Sequence, residues 1–203
     1  TGSAHIMRGA VETGLRCCEQ ALAFSPAPFD ATMIRAMCGF ASIKTGDVEA
    51  GVAAMEEAVE WFGRSRLHYT RVIFGARLCE GYLRLGNYAR ARALLEEFLV
   101  TAREGGHRHG EGLVERILGE VVARDDLTTA AAHLESAVRI LEEVGAHDEL
   151  GRAVTQEHHI VWLARRRVGH RCVCPTQQLP DMVEGLPNAS GTLARPKAIE
   201  FGA

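Results

Sequence analysis

Four short stretches of this chain repeat one another, and that repetition constrains the fold more than any other feature. Cys18-Glu19-Gln20-Ala21-Leu22, Met55-Glu56-Glu57-Ala58-Val59, Leu95-Glu96-Glu97-Phe98-Leu99 and Leu134-Glu135-Ser136-Ala137-Val138 follow each other at offsets of 37, 40 and 39 residues. Four residues before each stretch stands a small residue: Gly14, Gly51, Ala91 and Ala130. Nine residues before each stands a turn former, Gly9, Gly46, Gly86 or Asp125, followed two positions later by Val11, Val48, Tyr88 or Leu127. A period of this length marks a stack of supersecondary units, each too small to bury its apolar face alone. The turn former ends one helix. Asp47, Asn87 and Asp126 come next, where a side-chain oxygen can cap the free N–H groups of a new helix. The small residue lets a neighbouring helix approach closely, and the apolar residue four positions on lies on the same face. Gly51, Ala91 and Ala130 are therefore expected at close helix contacts.

Each copy reads as the second helix of a pair. The first helices lie upstream, in Thr32–Ile43, Val72–Leu83 and Leu113–Val122, all apolar at the helical period. The spacing predicts a lone second helix over about 9–24, pairs over about 30–63, 67–104 and 108–145, and a last helix over about 147–168. Ala, Leu, Glu and Arg are abundant and β-branched runs are nearly missing, as an all-α chain requires. Residues 169–203 change character. Pro175, Pro180, Pro187 and Pro196 break any helix there, so this stretch reads as a tail. Residues 1–7 read as an expression scar ending in His-Ile-Met and are set aside.

The third unit, with Leu78, Tyr82, Gly86, Ala91 and Leu95, resembles a tetratricopeptide repeat, with Gly75 where that pattern has Trp. The fourth keeps Leu118-Gly119, and Pro26 follows Ala21 at the pattern's spacing. Longer units such as Gly86–Glu97 and Ala132–Ala146 are similar to the C-terminal helical arrays of bacterial maltose-regulator-like signalling ATPases and ATPase–nucleotide cyclase fusions. The likeness covers residues 9–168. It implies an all-α fold, a right-handed superhelix of stacked antiparallel helix pairs, and a regulatory, non-catalytic role inside a larger bacterial protein.

Composition narrows the function. A formal net charge of −3 argues against wholesale nucleic-acid binding, although a local basic strip remains compatible with it. No apolar stretch approaches the roughly 18 residues that span a bilayer. Four of the six cysteines, Cys17, Cys18, Cys38 and Cys79, sit inside helical patterns, which suggests reduced, buried thiols and a cytoplasmic setting. No phosphate-binding loop or nucleophile elbow occurs, and no two carboxylates share an apolar environment, so the expectation is no enzyme and no cofactor. The metal candidates are weak. His107 and His109 are two apart and do not share a helix face, His158 and His159 are adjacent and diverge, and His170, Cys172 and Cys174 lack an evident fourth ligand.

In stacked repeats the first helices line a concave surface. The register puts Met33, Ala36, Phe40, Ile73, Ala76, Glu80, Leu113, Arg116 and Glu120 on or just beneath it. Lys44, Arg84 and Arg124 recur before each inter-helix turn. They serve either as cations on the helix C-terminal dipole or as a basic ladder suited to an acidic partner. The candidate partner-binding residues are thus Met33, Phe40, Lys44, Ile73, Glu80, Arg84, Arg116, Glu120 and Arg124. The expected partner is a protein or peptide segment, with self-association through tail or groove left open. The rival is an effector sensor enclosing a small molecule. An enclosed apolar cavity would favour the sensor, and a long open groove the segment binder.

Overall fold

The computed structural model describes residues 5–6, 9–24 and 27–167. The tail over 169–203, with His170, Cys172 and Cys174, lies outside the described residues, as does most of the segment 1–7. Ile6, inside that segment, is buried in the core. Among the described residues there are eight helices and no strand: α1 (Val11–Ala23), α2 (Pro28–Thr45), α3 (Val48–Arg64), α4 (His68–Arg84), α5 (Tyr88–Glu104), α6 (Arg108–Val122), α7 (Leu127–Glu143) and α8 (His147–Arg167). Each packs on its chain neighbour. The first helices of successive units, α2, α4, α6 and α8, also touch in sequence order. The fold is a tetratricopeptide-like stack of antiparallel pairs.

The turns repeat at atomic level. Leu67 N–H donates to Phe62 C=O, Asn87 to Tyr82, His107 to Ala102 and Ala146 to Leu141. In each case the preceding residue is left-handed: Arg66 at φ 58°, Gly86 at 73°, Gly106 at 65° and Gly145 at 67°. This is the helix-ending motif in which one left-handed residue turns the chain back onto the last carbonyls. Arg66 adopts it against the preference of an L side chain. The α6–α7 turn, where Asp125 was expected to act like the glycines, closes differently. Asp125 and Asp126 both donate to Val122 C=O with no left-handed residue. Asn87 caps α5 through Arg90 N–H, and Asp126 caps α7 through Thr128 and Thr129 N–H. Asp47 holds the same position at α3 but makes no side-chain cap bond.

The small residues sit where helices cross. A methyl group on Gly51 would lie 2.5 Å from the Gly39 carbonyl of α2, and Ala91 and Ala130 are fully buried. Cys79 Sγ on α4 reaches the Ala91 carbonyl on α5 at 3.7 Å. Gly75 departs from the repeat pattern for a visible reason: the Phe98 ring of α5 occupies the space its side chain would need. Cys18 and Cys79 are buried, Cys17 and Cys38 half-buried, and all four are free thiols.

Candidate functional site: a charged groove across the first helices

The inner ends of α4, α6 and α8, together with Lys44 of α2 and Tyr88 of α5, line an open groove of about 750 Å³. Its walls carry Lys44, Arg84, Arg116, Arg124 and Arg152 against Glu80, Glu120 and Asp148. Six of the nine sequence candidates meet here: Lys44, Glu80, Arg84, Arg116, Glu120 and Arg124. Met33 and Ile73 do not line it; both are half-buried against the core. Phe40 is 1% exposed, so its place is in the core. Lys44 Nζ and the Arg77 guanidinium lie 4.8 and 4.9 Å from its ring centroid. It therefore supports two cations from below. Ala36, Ala76 and Leu113 are fully buried between units.

The floor of the groove is a chain of ion pairs linking one first helix to the next. Lys44 Nζ is 2.8 Å from Glu80 Oε2, and Arg116 Nη2 is 2.5 Å from Glu80 Oε1. Arg116 Nε then donates to Glu149 Oε2 at 3.1 Å. Arg77 Nη2 and Arg152 Nη1 lie 3.4 and 3.5 Å from Glu149 Oε1. Arg77, Arg116 and Glu149 are nearly inaccessible. Burial alone would raise the Glu80 carboxyl, but Arg116 and Lys44 overcome it and hold its pKa down at about 2. Burial likewise lowers Arg77, opposed by Glu149 and Glu80. Arg77 Nη1 and Gln156 Oε1 are buried without a hydrogen-bond partner, while Gln156 Nε2 donates to Glu120 at 3.0 Å.

A carboxylate held ionised between Lys44 and Arg116, as Glu80 is, makes a poor general acid or base, because catalysis needs a pKa near working pH. What this arrangement can do is present fixed charge to a ligand. Elsewhere His107 and His109 both meet Tyr69. His107 stacks edge-on against Tyr69, while His109 Nδ1 lies 3.4 Å from Tyr69 Oη. His109 is lowered by burial and by Arg77. No cluster of three metal-ligating side chains occurs among the described residues. No helix among them is long and apolar enough to cross a membrane.

Sequence reasoning did not find Arg77, Glu149, Arg152 and Gln156. A signal existed. Lys44, Glu80, Arg116 and Arg152 are spaced by 36 residues, as are Arg84, Glu120 and Gln156. The first helices begin about 40 residues apart, at 28, 68, 108 and 147. Each contact therefore falls one helical turn earlier on the next helix. Lys44 lies in the last turn of α2, Arg116 midway along α6, and Arg152 near the start of α8. The row crosses the stack on a diagonal that alignment at the repeat period does not follow.

No family model matches the chain, and no curated protein matches it. Among solved structures it is similar to the apo form of RapI, with a TM-score of 0.63 at 14% sequence identity, covering 81% of this chain and 62% of RapI. The chain thus spans less than two thirds of that protein. At this identity the likeness bears on the fold, and it agrees with a tetratricopeptide-like helical repeat.

Proposed function

We propose that the chain is a non-catalytic protein–protein interaction scaffold whose concave groove takes up a segment of a partner. In this reading it serves as a regulatory part of a larger bacterial signalling or transcription-control protein. The observation that carries it is the groove itself: open, continuous across three first helices, and walled by charged groups held in place from beneath. An enclosed apolar cavity, which an effector sensor needs, is not what these residues line. The fold supports the reading, since stacked repeats present extended concave surfaces for binding.

The test is a hydrogen-exchange footprint with peptides selected on the purified chain from a random display library. Binding as proposed protects the groove-lining parts of α4, α6 and α8. Protection confined to the outer helices α3, α5 and α7 would sink the proposal.

A further inference from the structure

Several outer arginines are neutralised where they stand, while Arg16, Arg35 and Arg66 are exposed without an ion pair among the described residues but lie outside the groove. Arg64 pairs with Glu60, Arg90 with Glu56, Arg92 with Glu96 and Arg139 with Glu143. In and beneath the groove, Lys44, Arg116, Arg77 and Arg152 share the two carboxylates of Glu80 and Glu149. Arg84 and Arg124 differ. Both are exposed, both line the groove, and neither has a carboxylate within ion-pair distance among the described residues. Yet both are held. Arg84 Nη1 donates to the Ile43 carbonyl in the last turn of α2, and the Arg124 guanidinium lies 3.9 Å from the Tyr88 ring centroid. A carbonyl and a ring face fix a guanidinium without cancelling its charge, and a side chain already ordered loses less entropy on binding.

We infer that the occupant of the groove is an acidic protein segment whose carboxylates bind Arg84 and Arg124. The inference rests on the scaffold reading above and names its partner class. The floor sets four cations against two carboxylates and so leaves a positive surplus beneath the groove, while Arg84 and Arg124 are the exposed guanidinium groups at its rim that a segment can reach. Guanidinium and carboxylate match in a planar two-point contact, which sets Arg apart from Lys here. Glu120 and Asp148 on the same walls disfavour a polyphosphate backbone, which must lay a negative charge at every step. Donors for them come more readily from a protein segment, through its main-chain N–H groups.

The experiment uses the full chain with four labelled probes in fluorescence anisotropy: a glutamate-rich peptide, a lysine-rich peptide, a neutral apolar peptide and a single-stranded oligonucleotide. The glutamate-rich peptide is expected to bind selectively, and more weakly as salt rises. Arg84→Gln and Arg124→Gln should each weaken it by about three- to tenfold, as expected for well-placed exposed charge pairs. Arg92→Gln should leave binding unchanged, and thermal melts are run to check that all three variants fold. If only the neutral peptide binds, and its exchange footprint lies in the groove, the acidic inference falls while the scaffold reading stands. If the glutamate-rich peptide binds but protects only α3, α5 and α7, both fall. An oligonucleotide that outcompetes the peptide, indifference of binding to both substitutions, or binding of none of the probes overturns the inference.

Discussion

At Glu80 one carboxylate joins three helices, since its cations come from α2 and α6. Its pKa is depressed to about 2, so its contribution to stability is present above the ordinary unfolded value of about 4.3 and is lost as pH falls toward 2. Glu80→Gln should therefore be clearly less stable than the parent at neutral pH, by on the order of 2–3 kcal/mol, with the gap closing as the medium is acidified from about pH 5 to about pH 2. Urea titrations of both proteins across that range measure it, and a gap independent of pH would contradict the ion-pair account. Phe40 makes a different point. Since it is buried beneath Lys44 and Arg77, Phe40→Ala should cost about 3–5 kcal/mol in folding stability. A variant that melts like the parent but releases its partner faster would place Phe40 on the binding surface instead.

Helices pack here through matched small residues, and their ends are set by single backbone conformations. Ala91 is fully buried, with its carbonyl under Cys79. Ala91→Leu should overpack the α4–α5 contact and cost about 1–3 kcal/mol in chemical denaturation. Neutrality there would mean the two helices have room that the structure denies them. The α3–α4 turn carries the opposite opportunity. Arg66 takes the left-handed conformation that glycines take in the three equivalent turns. Arg66→Gly should stabilise the protein by about 0.5–1 kcal/mol, because removal of left-handed strain outweighs the extra freedom glycine gives the unfolded chain. A lower melting temperature would show that the Arg66 side chain contributes something its backbone strain conceals.

Across the whole molecule the apolar core is not evenly continuous. One large cluster runs from Ile6 and Cys18 through α2, α3, α4 and α5 to Val121 of α6. Two smaller clusters join α7 to α8, one through Leu134 and Ile160 with Val122 of α6, the other through Leu141 and Ala153. Toward the inner face α8 is fastened by polar groups, through Glu149 to Arg77 and Arg116 and through Gln156 to Glu120. Repeat stacks take their stability from intrinsic unit terms plus nearest-neighbour interfaces, so the ends open before the middle. Native-state hydrogen exchange should find the greatest protection in α4, α5 and α6, and the least in α1 and the C-terminal half of α8. Equal protection in all eight helices would instead show a single cooperative unit.

The sequence by itself determined the helices, their pairing and their order, because these depend on local matters: the apolar period, the turn residue and the small residue one turn on. It also marked Lys44, Arg84 and Arg124, which recur in step with the repeat and do line one groove. What the tertiary structure decided was which side chains meet. Contacts between first helices slip by one turn per unit. Lys44, Glu80, Arg116 and Arg152 are thus aligned at 36 residues although the helices recur at about 40. That slip brings Arg77 and Glu149 together over a separation of 72 residues and seals Phe40 beneath cations from two helices. It also leaves Met33 and Ile73 packed against the core rather than in the groove. Helix periodicity is written within one segment, whereas the angle between units comes from the packing of many side chains at once, and no single segment encodes it.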